Sequence, residues 1–232
     1  CVLARDGKIV GEGWHRRTGE AHAEINALES AGTQARGCTA YVTLEPCSHH
    51  GKTPPCAEAL IAAGVAVVII AMQDPNPKVA GAGVESLRAA GIQVRSGLMS
   101  EAALRLNEGF VSRVTRGWPF VRLKLASSLD GRTAMASGES QWITGEAARR
   151  DVQRLRASSG AIMTGVSTVI DDDPSLTVRQ ASPDADGAQP IRVVVDSGLR
   201  TPPSARLLSL PGRTIIYCTN DGNRATLEAS GA

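Results

Sequence analysis

His22-Ala23-Glu24, Pro46-Cys47 and Cys56 place one imidazole, two thiols and a carboxylate in a 35-residue window of a chain with only four histidines and five cysteines. Imidazole nitrogen and thiolate sulfur are preferred zinc donors, and three of them leave the fourth tetrahedral position open for water. A site of that kind is catalytic in type, because the metal lowers the pKa of the water it holds from ~15.7 toward ~7. His22, Cys47 and Cys56 are therefore the candidate ligands. Glu24 is the candidate proton carrier, positioned to move protons between that water and an amino leaving group. The inventory is that of a zinc-dependent deamination.

The cysteine spacing departs from the common arrangement, in which Pro-Cys-x-x-Cys sets both thiolates on one helical turn. Here eight residues separate Cys47 from Cys56. Both thiolates reach one ion only if the insert folds back, and Gly51, Pro54 and Pro55 are residue types that shape such a loop. The two cysteines alone would say little. His22 and Glu24 upstream give them a meaning.

The elements that must position these residues read as alternating strands and helices. Val2–Ala4 and Ile9–Gly13 flank Asp6-Gly7, a hairpin signal. A helical pattern over Ala21–Ser30, ended by Gly32, carries His22 and Glu24 in its first turn. Thr39–Leu44 reads as a strand followed by the turn Glu45-Pro46-Cys47. Cys56–Ala63 reads as a helix closed by Gly64, whose N-terminal end favours a thiolate at Cys56. Val65–Gln73 is expected as the central strand, then Val84–Ala90 as a helix and Ile92–Arg95 as a strand. Ser100–Arg113 is expected as one amphipathic helix capped by Ser100. Thr115–Pro119 breaks the pattern and is expected to divide two domains. Beyond it, Phe120–Ala126 reads as a strand, Gly145–Ala157 as a helix and Ala161–Thr164 as a strand ending at Gly165. Ser182–Gln189 is a polar loop, and Ile191–Asp196 and Thr214–Cys218 are strands. The alternation argues α/β layers in both halves. Both ends read as the interior of a longer chain: Cys1–Ala4 is already strand-like, and little follows Thr214–Cys218.

Composition narrows the functions. The 42% hydrophobic fraction is that of a globular chain with a core. A net charge of +2 and 3% aromatics offer neither the basic footprint nor the stacking surface of a nucleic-acid binder. No run approaches the ~18–20 apolar residues of a membrane span. With two cysteines assigned to zinc, Cys1, Cys38 and Cys218 remain as free thiols, which fits a reducing cytoplasm. The second half lacks Gly-x-Gly-x-x-Gly, and the strand ends at Thr164-Gly165 and Asp196-Ser197 are places for ligand contacts in an open α/β sheet.

The insert Pro46-Cys47-Ser48-His49-His50-Gly51-Lys52-Thr53-Pro54-Pro55-Cys56 resembles that of the bifunctional deaminase/reductases of riboflavin biosynthesis. The resemblance extends through Gly13-Trp14-His15, Asp74-Pro75-Asn76-Pro77, Lys124–Gly131 and Gly138–Thr144, and so through both halves. It implies a cytidine-deaminase-like three-layer α/β domain over 1–115, lacking its N-terminus. A dihydrofolate-reductase-like α/β domain over 118–232 follows, incomplete at its C-terminus. The implied reactions are hydrolytic deamination of 2,5-diamino-6-ribosylamino-4(3H)-pyrimidinone 5′-phosphate and NADPH-dependent reduction of the ribosyl group of the product to ribityl. It implies zinc and NADPH as cofactors, a homo-oligomer, and a small-molecule substrate with neither nucleic acid nor membrane as partner. Carried over residue by residue, His15, His49, Lys52, Asp74 and Asn76 line the deaminase pocket. Ala126, Trp142, Thr168, Asp172 and Ser197 match nicotinamide-cofactor positions, and Ser140, Arg156, Leu176 and Arg179 match substrate positions. The arginines suit a phosphate through charge-assisted hydrogen bonds. Lys124 and Asp172 are the candidates for work near the reacting ribose carbon.

Two other readings share part of the inventory. A nucleoside or nucleic-acid deaminase would use the same ligands with short cysteine spacing. A structural zinc module would close the site with a fourth ligand, which His49 or His50 could supply.

Overall fold

The computed structural model describes residues 1–51, 54–77, 79–179 and 189–232. They form two compact units, Cys1–Leu123 and Lys124–Ala232.

In the first unit, β1 (Val2–Arg5) and β2 (Lys8–Glu12) form a hairpin. Asp6 and Gly7 both have positive φ at its turn, as a two-residue primed turn requires. The helix α1 (Ala23–Ala31) leads to β3 (Thr39–Leu44), then α2 (Cys56–Ala62), β4 (Val67–Met72), α3 (Ala82–Ala89) and β5 (Gln93–Ser96). The sheet order is β2-β1-β3-β4-β5. β1 is antiparallel to both its neighbours, while β3, β4 and β5 are parallel. The Val65–Gln73 segment, expected as the central strand, is interior as β4, but the middle of the five is β3. Leu3, Ala27, Ala40, Leu60, Val68, Ile70 and Leu87 make a continuous core between these strands and the helices α1, α2 and α3. Two glycines let α1 lie directly on the hairpin. A Cβ on Gly11 would meet the Ala27 carbonyl oxygen at 2.5 Å, and one on Gly13 would meet the Ala27 nitrogen at 2.4 Å.

The single helix expected over Ser100–Arg113 is two, α4 (Ser100–Leu106) and α5 (Glu108–Arg116). Asn107, at φ −108° and ψ 18°, breaks the run, and its side chain donates to the Ala103 carbonyl at 2.9 Å. An asparagine amide that bonds nearby backbone competes with the helix, and periodicity alone does not register this. Ser100 is not the cap. Met99, in the left-handed region, holds that position, and no side chain caps the helix. At the expected break, Ser112 Oγ donates to the Trp118 carbonyl at 3.0 Å and Arg113 to that of Gly117 at 2.8 Å. The stretch is thus tied back onto α5, and the unit runs on to Leu123.

The second unit contains α6 (Glu146–Ala157), β6 (Ala161–Gly165), α7 (Val166–Asp172), β7 (Ile191–Val195), α8 (Arg206–Ser209), β8 (Thr214–Tyr217) and α9 (Arg224–Ala229). Its sheet is parallel in the order β6-β7-β8. Val169, Val194, Leu199, Leu207 and Leu227 form its core. The strand expected over Phe120–Ala126 is absent. Composition signals an extended segment, but a strand needs a partner edge, and among the described residues β6, β7 and β8 pair only with one another. Val121, Leu123 and Leu125 are correspondingly 72–81% exposed. Most of the polar loop expected over Ser182–Gln189 lies outside the described residues. Gln189 itself clasps Val178, accepting from its N–H at 2.8 Å and donating to its carbonyl at 3.2 Å.

Candidate functional site

His22 is the N-cap residue of α1, Cys47 follows the turn after β3, and Cys56 is the first residue of α2. Three element ends therefore deliver one ligand atom each, and these atoms lie within 4.8 Å of one another. His22 Nδ1 is 3.3 Å from Cys56 Sγ and 3.6 Å from Cys47 Sγ. Zinc at ~2.3 Å from sulfur and ~2.0–2.1 Å from nitrogen, in tetrahedral geometry, sets the two donor atoms ~3.6 Å apart. The donor set and the spacing both fit that ion. Among the described residues the cluster closes at three; neither His49 nor His50 joins it.

The protons in this cluster are unevenly held. Cys47 is held below the usual cysteine range, because the Cys56 thiol donates to it and the Cys56 backbone N–H, 3.3 Å away, adds a second bond against the cost of burial. Cys56, as donor to Cys47 and itself buried, is pushed up. The end of α2 thus also acts on the neighbouring sulfur, through its first N–H. Glu24, in the first turn of α1, is 8% exposed. Burial holds its carboxyl above the usual glutamate range, with the charge of Cys47 pushing the same way. A carboxyl so placed keeps a proton more readily than a free one, as a proton carrier must.

A cleft of about 190 Å³ opens on the cluster, lined by His15, Thr18, Gly19, His22, Cys47, His49 and Gly51. The His15 and His22 rings meet edge to face with centroids 5.3 Å apart. His15 Nδ1 lies 3.1 Å from the Ala21 carbonyl, which only accepts, so this nitrogen carries the proton. Asn26 donates to the Trp14 carbonyl at 2.7 Å and fastens the His15 segment to α1. Asp74 lies close enough to His49 for their charges to interact, and its Oδ1 accepts from the Asn76 N–H at 2.8 Å. Lys52 lies outside the described residues. Sequence reasoning missed Thr18, Gly19 and Asn26, none of which carries a distinctive type or spacing. It also read Glu45 only as part of a turn, although an acidic residue between an apolar strand and a proline was a signal.

In the second unit the candidate residues converge only in part. Ser140 Oγ donates to Asp172 Oδ1 at 3.3 Å. Burial and the nearby Arg179 both lower the pKa of Arg156, whose guanidinium donates to the Thr177 carbonyl at 2.9 Å. Leu176 is buried with φ 50°. Thr168, on α7, and Ser197, just past β7, both follow the carboxyl ends of parallel strands, where open α/β sheets receive ligands. Lys124 and Ala126 lie on the unpaired extended segment, and Trp142 is exposed with the Arg149 guanidinium 4.6 Å from its ring. No described contact draws these three onto the others.

The chain matches two family models, the cytidine and deoxycytidylate deaminase zinc-binding region over residues 1–72 and the RibD C-terminal domain over residues 119–229. It is 57% identical to the riboflavin biosynthesis protein RibD of Escherichia coli, over 97% of this chain and 64% of that protein. It is 55% identical to RibD of Haemophilus influenzae, over 89% of this chain and 58% of that protein. Among solved structures, Acinetobacter baumannii RibD superposes with a TM-score of 0.89 at 52% identity, covering all of this chain and 65% of that one. The Thermotoga maritima diaminohydroxyphosphoribosylaminopyrimidine deaminase/5-amino-6-(5-phosphoribosylamino)uracil reductase does so at 0.85 and 40%, over 95% and 63%. The chain thus spans a little under two thirds of the relatives it matches. A deaminase-type zinc-binding fold, a RibD C-terminal fold and identity of this order across nearly every residue place the chain in the RibD family of riboflavin-biosynthesis proteins.

Proposed function

We propose that this chain carries the two consecutive activities of its family. These are hydrolytic deamination of 2,5-diamino-6-ribosylamino-4(3H)-pyrimidinone 5′-phosphate, and NADPH-dependent reduction of the ribosyl group of 5-amino-6-(5-phosphoribosylamino)uracil to ribityl. The observation that carries the reading is the His22, Cys47 and Cys56 cluster with buried Glu24 beside it. These three side chains would hold zinc, which when bound supplies a Lewis acid that lowers the pKa of water from ~15.7 toward ~7. Glu24 carries the two protons of the attacking water in turn, the first to the ring nitrogen and the second to the departing amine. His15, His49, Asp74, Asn76 and Lys52 hold the pyrimidine and its phosphate chain.

In Lys124–Ala232, Ala126, Trp142, Thr168, Asp172 and Ser197 would hold NADPH, which when bound supplies the hydride. Ser140, Leu176, Arg156 and Arg179 hold the ribose phosphate, and Lys124 and Asp172 stand at the reacting carbon. A functional division near residues 115–118, with a deaminase before it and a reductase after it, belongs to the same proposal. So does a cytoplasmic homo-oligomer with neither nucleic acid nor membrane as partner; Cys1, Cys38 and Cys218, outside the ligand cluster and in no disulfide, suit a reducing compartment. Among the described residues no helix is long and apolar enough to cross a membrane. Measuring ammonia release and NADPH oxidation separately tests the assignment, on this chain and on a version extended to the length of its relatives. Neither product appearing from the extended version would refute it.

A further inference from the structure

We propose that Glu45 is the positioning residue for the substrate side of the deamination site. On this view it pins the Asp74–Asn76 loop against the turn that carries Cys47. The proposal rests on the reading of the first unit as a deaminase.

Glu45 follows β3 directly and stands two residues before Cys47, yet it is only 3% exposed. Its own N–H donates to the Met72 carbonyl at 3.0 Å, carrying the β3–β4 pairing one step further. Its carboxylate collects three backbone donors. Oε2 accepts from the Asp74 N–H at 3.2 Å and the Gly81 N–H at 3.0 Å, and Oε1 accepts from the Val84 N–H at 3.1 Å. A buried carboxylate is costly unless its lone pairs are filled, and here they are filled by groups fixed in the backbone. The Val84 N–H belongs to the first turn of α3, where helix donors have no partner of their own and a negative charge is favoured.

The pinning is tight. Gly83 lies so close to the Pro46 carbonyl oxygen that a Cβ there would sit 2.0 Å from it. One side chain thus joins the turn that delivers a zinc ligand to both ends of the loop holding Asp74. That loop is organised from within by Asp74, which accepts from the Asn76 N–H. Burial holds the Asp74 carboxyl above the usual aspartate range; the Asn76 bond opposes this, and the charge of Glu45 adds to it. Glu45 touches neither the ligand atoms nor the cleft, so its influence on substrate passes through the loop.

Glu45→Gln in the zinc-loaded chain is the test. One carboxylate oxygen becomes an NH₂ group facing backbone donors, so at least one of the three amides loses its acceptor. Zinc should remain at about one per chain. The KM for the pyrimidine phosphate should rise about 10-fold or more, with kcat falling much less, as loss of a buried hydrogen bond that aligns substrate predicts. Amide exchange should quicken at Asp74, Gly81 and Val84 while Ile70 in β4 stays protected. Glu45→Asp, which keeps the charge on a shorter stem, should give an intermediate KM and serves if the Gln variant does not fold. An unchanged KM in zinc-loaded variants overturns the proposal, even if the melting temperature falls. Fast exchange at the three amides in the unmodified chain overturns it too. If the unmodified chain releases no ammonia, the deaminase reading is what has failed, and the exchange arm alone decides whether Glu45 pins the loop.

Discussion

The two units hold their candidate chemistry in contrasting ways. In Cys1–Leu123 the donors meet at hydrogen-bond distance, Cys56 is fully buried and Glu24 nearly so. In Lys124–Ala232 the candidates are scattered: Thr168 and Ser197 follow the carboxyl ends of strands, Arg156 lies on α6, Lys124 and Ala126 lie on an extended segment, and Trp142 is 65% exposed. The difference reflects what each ligand demands. A metal is held by a few directional donors, which must converge within a few ångströms, so residue type and order already declare the site. A dinucleotide is held by many weak contacts at strand ends, several of them to backbone, and residue type says little about those.

The sharpest way to break this comparison is a crossed pair of variants in a version extended to the relatives' full length. Glu24→Ala should abolish ammonia release and leave reduction of supplied deaminated substrate nearly intact. Lys124→Ala or Asp172→Ala should do the reverse. Loss of both activities from either single change would mean that the two residue sets do not serve separate sites.

The metal arm comes next. Cys56→Ser should lose most of the zinc, measured per chain by atomic emission. Cys38→Ser should keep it, because Cys38 is equally buried but donates to the Gln34 carbonyl at 2.9 Å and stands outside the cluster. Full zinc retention in Cys56→Ser would remove it from the ligand set.

The same contrast governs how much was legible in the sequence. The hairpin, the parallel strands and the first three helices of unit one follow from turn residues and apolar runs, and so does the convergence of His22, Cys47 and Cys56. The break at Asn107 was hidden because it comes from a side-chain bond to Ala103, to which period and composition are blind. The Phe120–Ala126 strand was over-read because its apolar residues report a tendency to extend and not the presence of a partner. The short helices α7 and α8 were missed because, at seven and four residues, neither is long enough to show a helical period.

A smaller effect separates holding the metal from using it. Glu24→Gln should retain zinc and fold, and lower deamination by at least the ~10²-fold that general acid–base help supplies. Near-normal ammonia release from a zinc-loaded Glu24→Gln chain would contradict the assigned role.

The smallest expected effect concerns the edge of the second sheet. Asp196 ends β7 fully buried, and its Oδ2 accepts from both the N–H and the hydroxyl of Thr201 at 2.7 Å. Burial works to raise its pKa, but the backbone N–H groups of Arg200 and Thr201 and the Thr201 hydroxyl outweigh it and hold the carboxyl below the usual range. This is the opposite direction to Glu24. A group whose folded pKa lies below its unfolded value of ~3.9 stabilises the fold above that value and ceases to do so as pH falls through the folded one. The Asp196–Thr201 turn also fixes Ser197, whose carbonyl accepts from Thr219 and Asn220 at the end of β8. In urea titrations the unmodified chain should exceed Asp196→Asn in stability at pH 6, and the gap should narrow steadily below about pH 4. A gap that stays constant down to pH 2 would show that the Asp196 carboxylate contributes nothing as a charge, and that the turn is held by neutral hydrogen bonds alone.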